Sequence, residues 1–98
     1  MNLVYRPAAA SDIEDAYRWY SGKREGLGDE FLEAVHQAAA RILEHPEACP
    51  VFHRDARRAR LIRFPYSLVY RNYPNTVVIV GYFHGRRDPM IWASRLDG

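Results

Sequence analysis

The hydrophobic period of this sequence changes once, close to Pro46 and Pro50, and this change constrains the fold more than any other feature. Before it, apolar residues recur every three or four positions, which is typical of helices with one buried face. After it come short runs rich in Val, Ile, Leu, Tyr and Phe, which are typical of strands. Such a chain is expected to pack a helical layer against a sheet.

The first half of the chain predicts a short strand followed by two helices. NLVYR is apolar and rich in strand-forming residues, and Pro7 ends it. In SDIEDAYRWYSGKREG, Ser11 and Glu14 have capping-box spacing, which places the start of the first helix at Ser11. Asp29 is placed to cap a second helix, DEFLEAVHQAAARILEH, which ends at Pro46. Because the linker is short, the two helices are expected to form an antiparallel hairpin.

The second half predicts an antiparallel meander of three strands. PEACPVFHRDAR has no clear period and is expected to be a connection, whereas RARLIRF, YSLVYRNY and TVVIVGYFH each have the length of a strand. Pro74 and Asn75 are the central residues of a hairpin turn. The third strand is apolar on both faces and is expected inside the sheet. The predicted fold is therefore α+β: a two-helix antiparallel hairpin packed on a small, mainly antiparallel sheet, in the order β-α-α-β-β-β.

Length and composition limit the class of protein. Ninety-eight residues make one domain, residues 1–98, and a hydrophobic fraction of 48% is enough for a packed core. No apolar run approaches the roughly 20 residues of a membrane helix. The stretch MNLVYRP lacks the features of a signal peptide, and a single cysteine, Cys49, forms no internal disulfide. We therefore expect a cytoplasmic protein that does not enter a membrane.

Charge is distributed unevenly along the chain. Residues 1–50 carry five Lys or Arg and nine Asp or Glu, a net charge of −4, whereas residues 51–98 carry nine Arg and three Asp, a net charge of +6. Arginine presents a planar fork of donors that suits phosphate and carboxylate groups. The basic half therefore points to a polyanion or to an acidic segment of a partner, and a merely solvated basic face is the alternative.

Basic residues in or beside the strands are the candidates for a functional site. They are Arg58, Arg60, Arg63, Arg71, His84, Arg86 and Arg87. Because neighbouring strands lie about 5 Å apart, several of these groups can converge on one patch, although alternation sends Arg60 and Arg63 to opposite faces. His84 has the chemistry of a general acid or base, and a hydrogen-bonded histidine at a turn is the structural alternative.

A metal or cofactor is not expected. His45, Cys49 and His53 are spaced four residues apart, but zinc needs a fourth ligand or a water, and the intervening prolines prevent one continuous helix. The glycines between the two helices are explained by turn geometry rather than by phosphate binding. The serines lack the context of a nucleophile.

Three stretches of the chain resemble the ParE/RelE superfamily of toxins from bacterial type II toxin–antitoxin systems, and particularly its ParE-like branch. They are GLGDEFLEAV, RFPYSLVYR and FHGRRDPMIW. The resemblance extends over nearly the whole chain, and the predicted order of helices and strands agrees with the fold of that superfamily. It implies a toxin that forms a hetero-oligomer with a cognate antitoxin, whose flexible segment wraps around it.

The resemblance leaves the cellular target open. ParE-like members inhibit DNA gyrase, whereas RelE-like members cleave mRNA on the ribosome. No tyrosine follows Tyr82, and Trp92 stands where many RelE-like nucleases have a late tyrosine. This departure favours a gyrase inhibitor that has no chemistry of its own. The alternatives are a ribosome-dependent mRNA endoribonuclease and a non-toxic remnant that only binds antitoxin.

The nuclease and the binding interpretations assign different roles to these residues. The nuclease alternative uses His84 as the base and arginines to stabilise the charged phosphate, namely Arg63, Arg71 and Arg86. The surface that binds the target or the antitoxin is expected to include Arg60, Arg63, Arg71, His84, Arg86, Arg87 and Trp92. The tail around Trp92 is expected to fold back on the sheet or the helices. Because the second half is basic, the toxin-binding segment of the antitoxin is expected to be acidic as well as apolar.

Overall fold

A computed structural model of the protein describes residues 1–84 and Leu96. Its elements are β1 (Asn2–Tyr5), α1 (Pro7–Lys23), α2 (Leu27–Glu44), β2 (Val51–His53), β3 (Ala56–Arg60), β4 (Tyr66–Tyr73) and β5 (Thr76–His84). The strands form one sheet in the order β1-β5-β4-β3-β2, with β1 parallel to β5 and the other pairs antiparallel. The predicted α+β fold is confirmed. The short strand β2 is an addition, because it lies where the sequence predicts only a connection.

The first helix begins earlier than its capping pattern predicts. α1 starts at Pro7, with Arg6 in an extended conformation before it. Proline suits the first position of a helix because the amide that it lacks would have no partner inside the helix. Ser11 and Glu14 therefore lie within the helix, and Glu14 forms an ion pair with Arg18 one turn later. The capping-box interpretation was wrong.

The second helix begins with a glycine rather than with Asp29. Gly26 precedes α2 with a φ of 83°, a left-handed conformation that glycine adopts without strain. Asp29 lies in the first turn of α2, where a carboxylate interacts favourably with the positive end of the helix. A Cβ atom at Gly28 would collide with Ser21 and Tyr17, so the two helices approach closely at this end. Neither helix is long and apolar enough to cross a membrane, within the part of the chain that is described.

The helices cover one face of the sheet, called here the helix face. Its cluster joins both helices to the three interior strands, and Phe31 of α2 is fully buried at its centre. Phe31 contacts the rings of Tyr20, Phe64 and Tyr82 at centroid distances of 5.2–5.5 Å. Full burial of one such aromatic side chain contributes about 2–3 kcal/mol. These contacts hold the hairpin of helices against the sheet.

The opposite face of the sheet, called here the far face, buries a second cluster. Its described members are Ala56, Val69, Val80, Phe83 and Leu96. Leu96 is only 5% exposed, so the chain near its C-terminus returns to the sheet at this residue. Trp92, which is expected to fold back in the same way, lies outside the described residues.

A β-bulge near the middle of β5 decides which face the end of this strand presents. Val69 lies opposite Gly81 and Tyr70 lies opposite Ile79, so one residue of β5, Val80, has no direct partner on β4. Val80 packs in the far-face cluster. Strict alternation after Ile79 would send Tyr82 to the far face, but the bulge turns it onto the helix face. His84, two residues later, follows Tyr82 to that face.

Candidate functional site

The candidate arginines divide between two faces of the sheet. Arg60 pairs in register with Ser67, which lies opposite Phe83, so Arg60 is on the far face. Arg71, also on the far face, hydrogen bonds to the backbone of Leu96. Arg63 lies beyond the end of β3 and reaches a helix instead. The structure therefore does not bring the three together. Arg86, Arg87 and Trp92 lie outside the described residues.

Arg71 ties two segments to the sheet. Its Nε donates to Asp55 Oδ1 at 3.0 Å, and its Nη2 donates to the carbonyl oxygen of Leu96 at 3.2 Å. The Arg71 side chain is only 14% exposed, whereas that of Asp55 is 68% exposed. Arg71 thus fixes the turn between β2 and β3 and holds Leu96 over the far face. Hydrogen bonds from a largely buried guanidinium make a substantial contribution to stability.

Arg63 is held by a carboxylate of α2. Its Nη2 donates to Glu30 Oε1 at 3.0 Å, and Arg24 Nη2 donates to the other oxygen, Glu30 Oε2, at 2.7 Å. These bonds, first that of Arg24 and then that of Arg63, hold the pKa of Glu30 below its usual value. Glu30 thereby connects the linker between the helices with the β3–β4 loop. Because the Arg63 side chain is 67% exposed, water weakens this pair.

His84 lines a small pocket beside α1. Its ring meets the edge of Tyr66 at a centroid distance of 5.2 Å. The pocket has a volume of about 180 Å³ and is lined by Asp12, Asp15, Tyr66, Tyr82 and His84. Asp12 and Asp15 are three residues apart on α1, which places both carboxylates on one flank of the helix. We call this site the acidic pocket.

The hydroxyl group of Tyr82 in this pocket has no hydrogen-bond partner among residues 1–84 and Leu96. Tyr82 is 7% exposed and its ring stacks on Tyr66 at 4.3 Å. Burial, with a smaller contribution from Tyr66, raises the pKa of Tyr82 well above its usual value, so the hydroxyl stays protonated. Burying a hydroxyl without a partner costs about 1–3 kcal/mol. An unsatisfied group of this kind points to strain or to a missing partner.

A larger apolar groove lies between the two helices, with β1 at its base. Its volume is about 550 Å³. It is lined mainly by Leu3 and Tyr5 of β1, Ile13 and Tyr17 of α1, and Leu32, Val35, Ala39 and Leu43 of α2. Sequence reasoning missed this groove. The available signal was the width of the apolar arc on α2: Phe31 and Ile42 are buried in the core, which leaves Leu32 and Leu43 on a second, adjacent stripe.

The loop that suggested a zinc site is fixed to the sheet by hydrogen bonds. Arg57 Nη1 donates to the carbonyl oxygens of Glu47 and Cys49 at 3.0 and 2.6 Å, and the Tyr70 hydroxyl donates to that of Pro46 at 2.8 Å. Burial raises the pKa of Tyr70. Within residues 1–84 and Leu96, no three His, Cys, Asp or Glu side chains are grouped so that they could hold a metal ion.

Comparisons with known proteins agree with this architecture. A family model described as "ParE toxin of type II toxin-antitoxin system, parDE" matches residues 3–89. Among solved structures, a chain from the chromosomal ParDE toxin–antitoxin system of P. aeruginosa is similar, with a TM-score of 0.62 and 20% identity over 86% of this chain and 95% of that chain. That likeness shows the fold. No curated protein matches the sequence. Because the family model matches most of the chain, the protein belongs to the ParE toxin family of type II toxin–antitoxin systems.

Proposed function

We propose that this type II toxin binds and inhibits DNA gyrase without a chemical step of its own. We also propose that a cognate antitoxin neutralises it in the cytoplasm by forming a hetero-oligomer with it. The observation that carries the proposal is the match to the ParE toxin family over residues 3–89. The ParE-like branch, which the sequence resembles, consists of gyrase inhibitors.

The positions of the described candidate residues also favour inhibition by binding over RNA cleavage. A nuclease needs a base and a cationic group at the same phosphate. His84 shares its pocket with Asp12 and Asp15, whose negative charges disfavour a phosphate there. Arg71 is on the far face, bound to Asp55 and to the backbone of Leu96.

The apolar groove and the far face together fit the expected antitoxin segment. A groove lined almost wholly by apolar side chains accepts apolar anchors, which supply most of the binding energy in protein interfaces. Arg60 is exposed on the far face, and Arg58 lies beside it over the ring of Phe52, at 5.6 Å from its centroid. Acidic residues of the antitoxin would pair with such arginines and set its register.

Inhibition of gyrase is tested directly in a supercoiling assay. Purified toxin is added to gyrase and relaxed plasmid, and supercoiling is expected to stop as the toxin reaches saturation. Toxin mixed beforehand with its antitoxin is the control and is expected to leave the reaction unaffected. Unchanged supercoiling at saturating toxin would overturn the proposal. Growth that stays normal when the toxin is expressed alone would then favour a non-toxic remnant.

RNA cleavage is tested in parallel by primer extension on a translated mRNA. We expect no discrete cleavage sites when the toxin is added to a translation reaction. Discrete cleavage that disappears in His84→Ala would instead identify the protein as a ribosome-dependent endoribonuclease. Cleavage that persists in that variant would show that His84 is not the base.

Antitoxin binding in the apolar groove is tested by adding a charge to its wall. Ala40 is exposed and lines the groove, so Ala40→Glu leaves the core intact. We expect this variant to weaken antitoxin binding by about tenfold or more, because a carboxylate would be buried against apolar anchors. The matched control is Gln37→Glu, an equal charge change at an exposed position of α2 outside the groove. Equal affinities of the two variants in a calorimetric titration would place the antitoxin elsewhere.

A further inference from the structure

We propose that the acidic pocket accepts the cationic side chain of an arginine or lysine on the surface of gyrase. This inference rests on the proposed function, because it assigns one contact of the proposed complex. It concerns the five described residues that line the pocket, none of which lines the apolar groove.

The chemistry of the lining selects a positive group that carries N–H donors. Asp12 and Asp15 contribute two carboxylates from one flank of α1, and Asp15 Oδ1 also forms an exposed ion pair with Arg18 Nη1 at 3.7 Å. The Tyr82 hydroxyl oxygen, which is buried and accepts no hydrogen bond from any described residue, is a further acceptor beside them. The negative charge of Asp12 contributes to the raised pKa of Tyr82, which agrees with a hydroxyl that lies near this carboxylate. A guanidinium or an ammonium group can donate to carboxylates and to a phenolic oxygen at once.

The aromatic walls and the size of the pocket suit one side-chain head group. Tyr66 and Tyr82 stack face to face at 4.3 Å and form the aromatic part of the lining, with His84 against the edge of Tyr66. Sites for small-molecule ligands usually measure about 300–1,000 Å³. At about 180 Å³, this pocket is too small for such a ligand, but it has room for the end of one side chain.

The position of the pocket favours the target over the antitoxin. Ile13 and Tyr17 line the apolar groove, whereas Asp12 and Asp15 face the pocket on another flank of α1. Trp19, one turn beyond Asp15, is 57% exposed. An exposed tryptophan is a typical anchor of protein interfaces. An antitoxin segment that is acidic enough to match the basic half would be repelled by these carboxylates.

The ligand chemistry is tested without gyrase. The toxin, labelled for NMR, is titrated with N-acetyl-arginine amide, and resonances of Asp12, Asp15 and Tyr82 are expected to shift. N-acetyl-citrulline amide, which has nearly the same shape but no charge, is expected to cause no such shifts. Tyr82→Phe keeps the ring and removes the acceptor oxygen, so its affinity for the arginine probe is expected to fall. Shifts that are absent, or equal with the two probes, would overturn the assignment of a cation site.

The partner is tested with two substitutions that remove both negative charges of the pocket. Asp12→Asn with Asp15→Asn is expected to raise the toxin concentration needed for half inhibition of gyrase by about tenfold or more, and to leave antitoxin affinity within about twofold. The control, Asp29→Asn with Glu33→Gln, removes the same charge from α2 and is expected to change neither. Circular dichroism of each variant checks that the fold is retained.

The outcomes separate this inference from the proposed function. A wild-type toxin that leaves supercoiling unchanged removes gyrase as the partner, while the NMR titration still decides whether the pocket binds a cation. If the wild type inhibits gyrase and the pocket variant inhibits it equally well, the pocket does not contact gyrase. If the pocket variant loses antitoxin affinity and keeps full inhibition, the cationic group belongs to the antitoxin, and the assignment to gyrase is wrong.

Discussion

The two faces of the sheet bury different kinds of surface. On the helix face, Phe31 and its aromatic neighbours form a continuous cluster beneath two helices. On the far face, the described residues bury a small aliphatic and aromatic cluster that is edged by Arg58 and Arg60. The helix face therefore supplies most of the apolar stability of the described chain, whereas the far face leaves charged groups at the surface.

Side chains of β5 pack on both faces of the sheet, and the bulge at Val80 determines which side chain lies on which face. Val80 and Phe83 of β5 pack on the far face, while Ile79 and Tyr82 pack on the helix face. The extra residue, Val80, shifts the alternation of side chains between the two faces by one position, and the strand continues without a turn or a loop. An interior strand can thus deliver a polar group such as His84 to the edge of the main core.

The largest expected difference concerns the two phenylalanines at the centres of these clusters. Phe31→Ala is expected to lower the free energy of unfolding by about 4–5 kcal/mol, because its cavity is enclosed by two helices and the sheet. Phe83→Ala, on the far face, is expected to cost about 3 kcal/mol, since its smaller cluster can relax more easily. Urea unfolding followed by circular dichroism measures both. A loss for Phe83→Ala as large as that for Phe31→Ala would show that the faces are equally well packed.

A smaller difference in stability is expected between variants of Arg71, which pairs with Asp55, and Arg63, which pairs with Glu30. Arg71→Ala is expected to cost about 1–3 kcal/mol, because its largely buried guanidinium bonds Asp55 and the backbone of Leu96. Arg63→Ala is expected to cost less, because its side chain is 67% exposed. Thermal unfolding of both variants under the same buffer checks the order. If Arg63→Ala is the more destabilising, the contact with α2 matters more than its exposure indicates.

The smallest expected effect is a pH dependence from Glu30 on the helix side. Its folded-state pKa is lowered from the ordinary 4.5, so the carboxylate stabilises the fold above that pH. This contribution is lost as the pH falls through the lowered pKa of the folded state. The stability difference between wild type and Glu30→Gln is therefore expected to be largest at neutral pH and to shrink below pH 4.5. Urea unfolding from about pH 7 to about pH 3 measures it. A constant difference would mean that the two arginines do not act on Glu30.

The sequence predicts the fold well where the pattern is local. The change of hydrophobic period indicated both layers, and the Pro74–Asn75 turn is confirmed, with Asn75 at a φ of 63°. β2 was missed because three residues are too few to show alternation. The helix starts were misplaced because Pro7 and Gly26, rather than the polar cap candidates, precede or open the helices.

The sites were less predictable, because they depend on contacts between distant segments. TVVIVGYFH shows no sign of the bulge at Val80, so the face occupied by Tyr82 and His84 could not be read from it. The acidic pocket joins these residues to Asp12 and Asp15, some seventy positions earlier in the chain. The arginines were identified as candidates by residue type. Their separation on two faces follows from the register of β3 and β4.

The parallel pairing of β1 with β5 has a consequence for synthesis. β1 is made first, yet its register partners, Thr76 to Ile79, are among the last described residues to be made. During translation, the backbone groups of β1 therefore cannot pair with their partner strand until β5 has been synthesised. Closing so long a loop slows folding more than it weakens the folded state. The sheet therefore cannot be completed before β5, some seventy residues after β1, has left the ribosome.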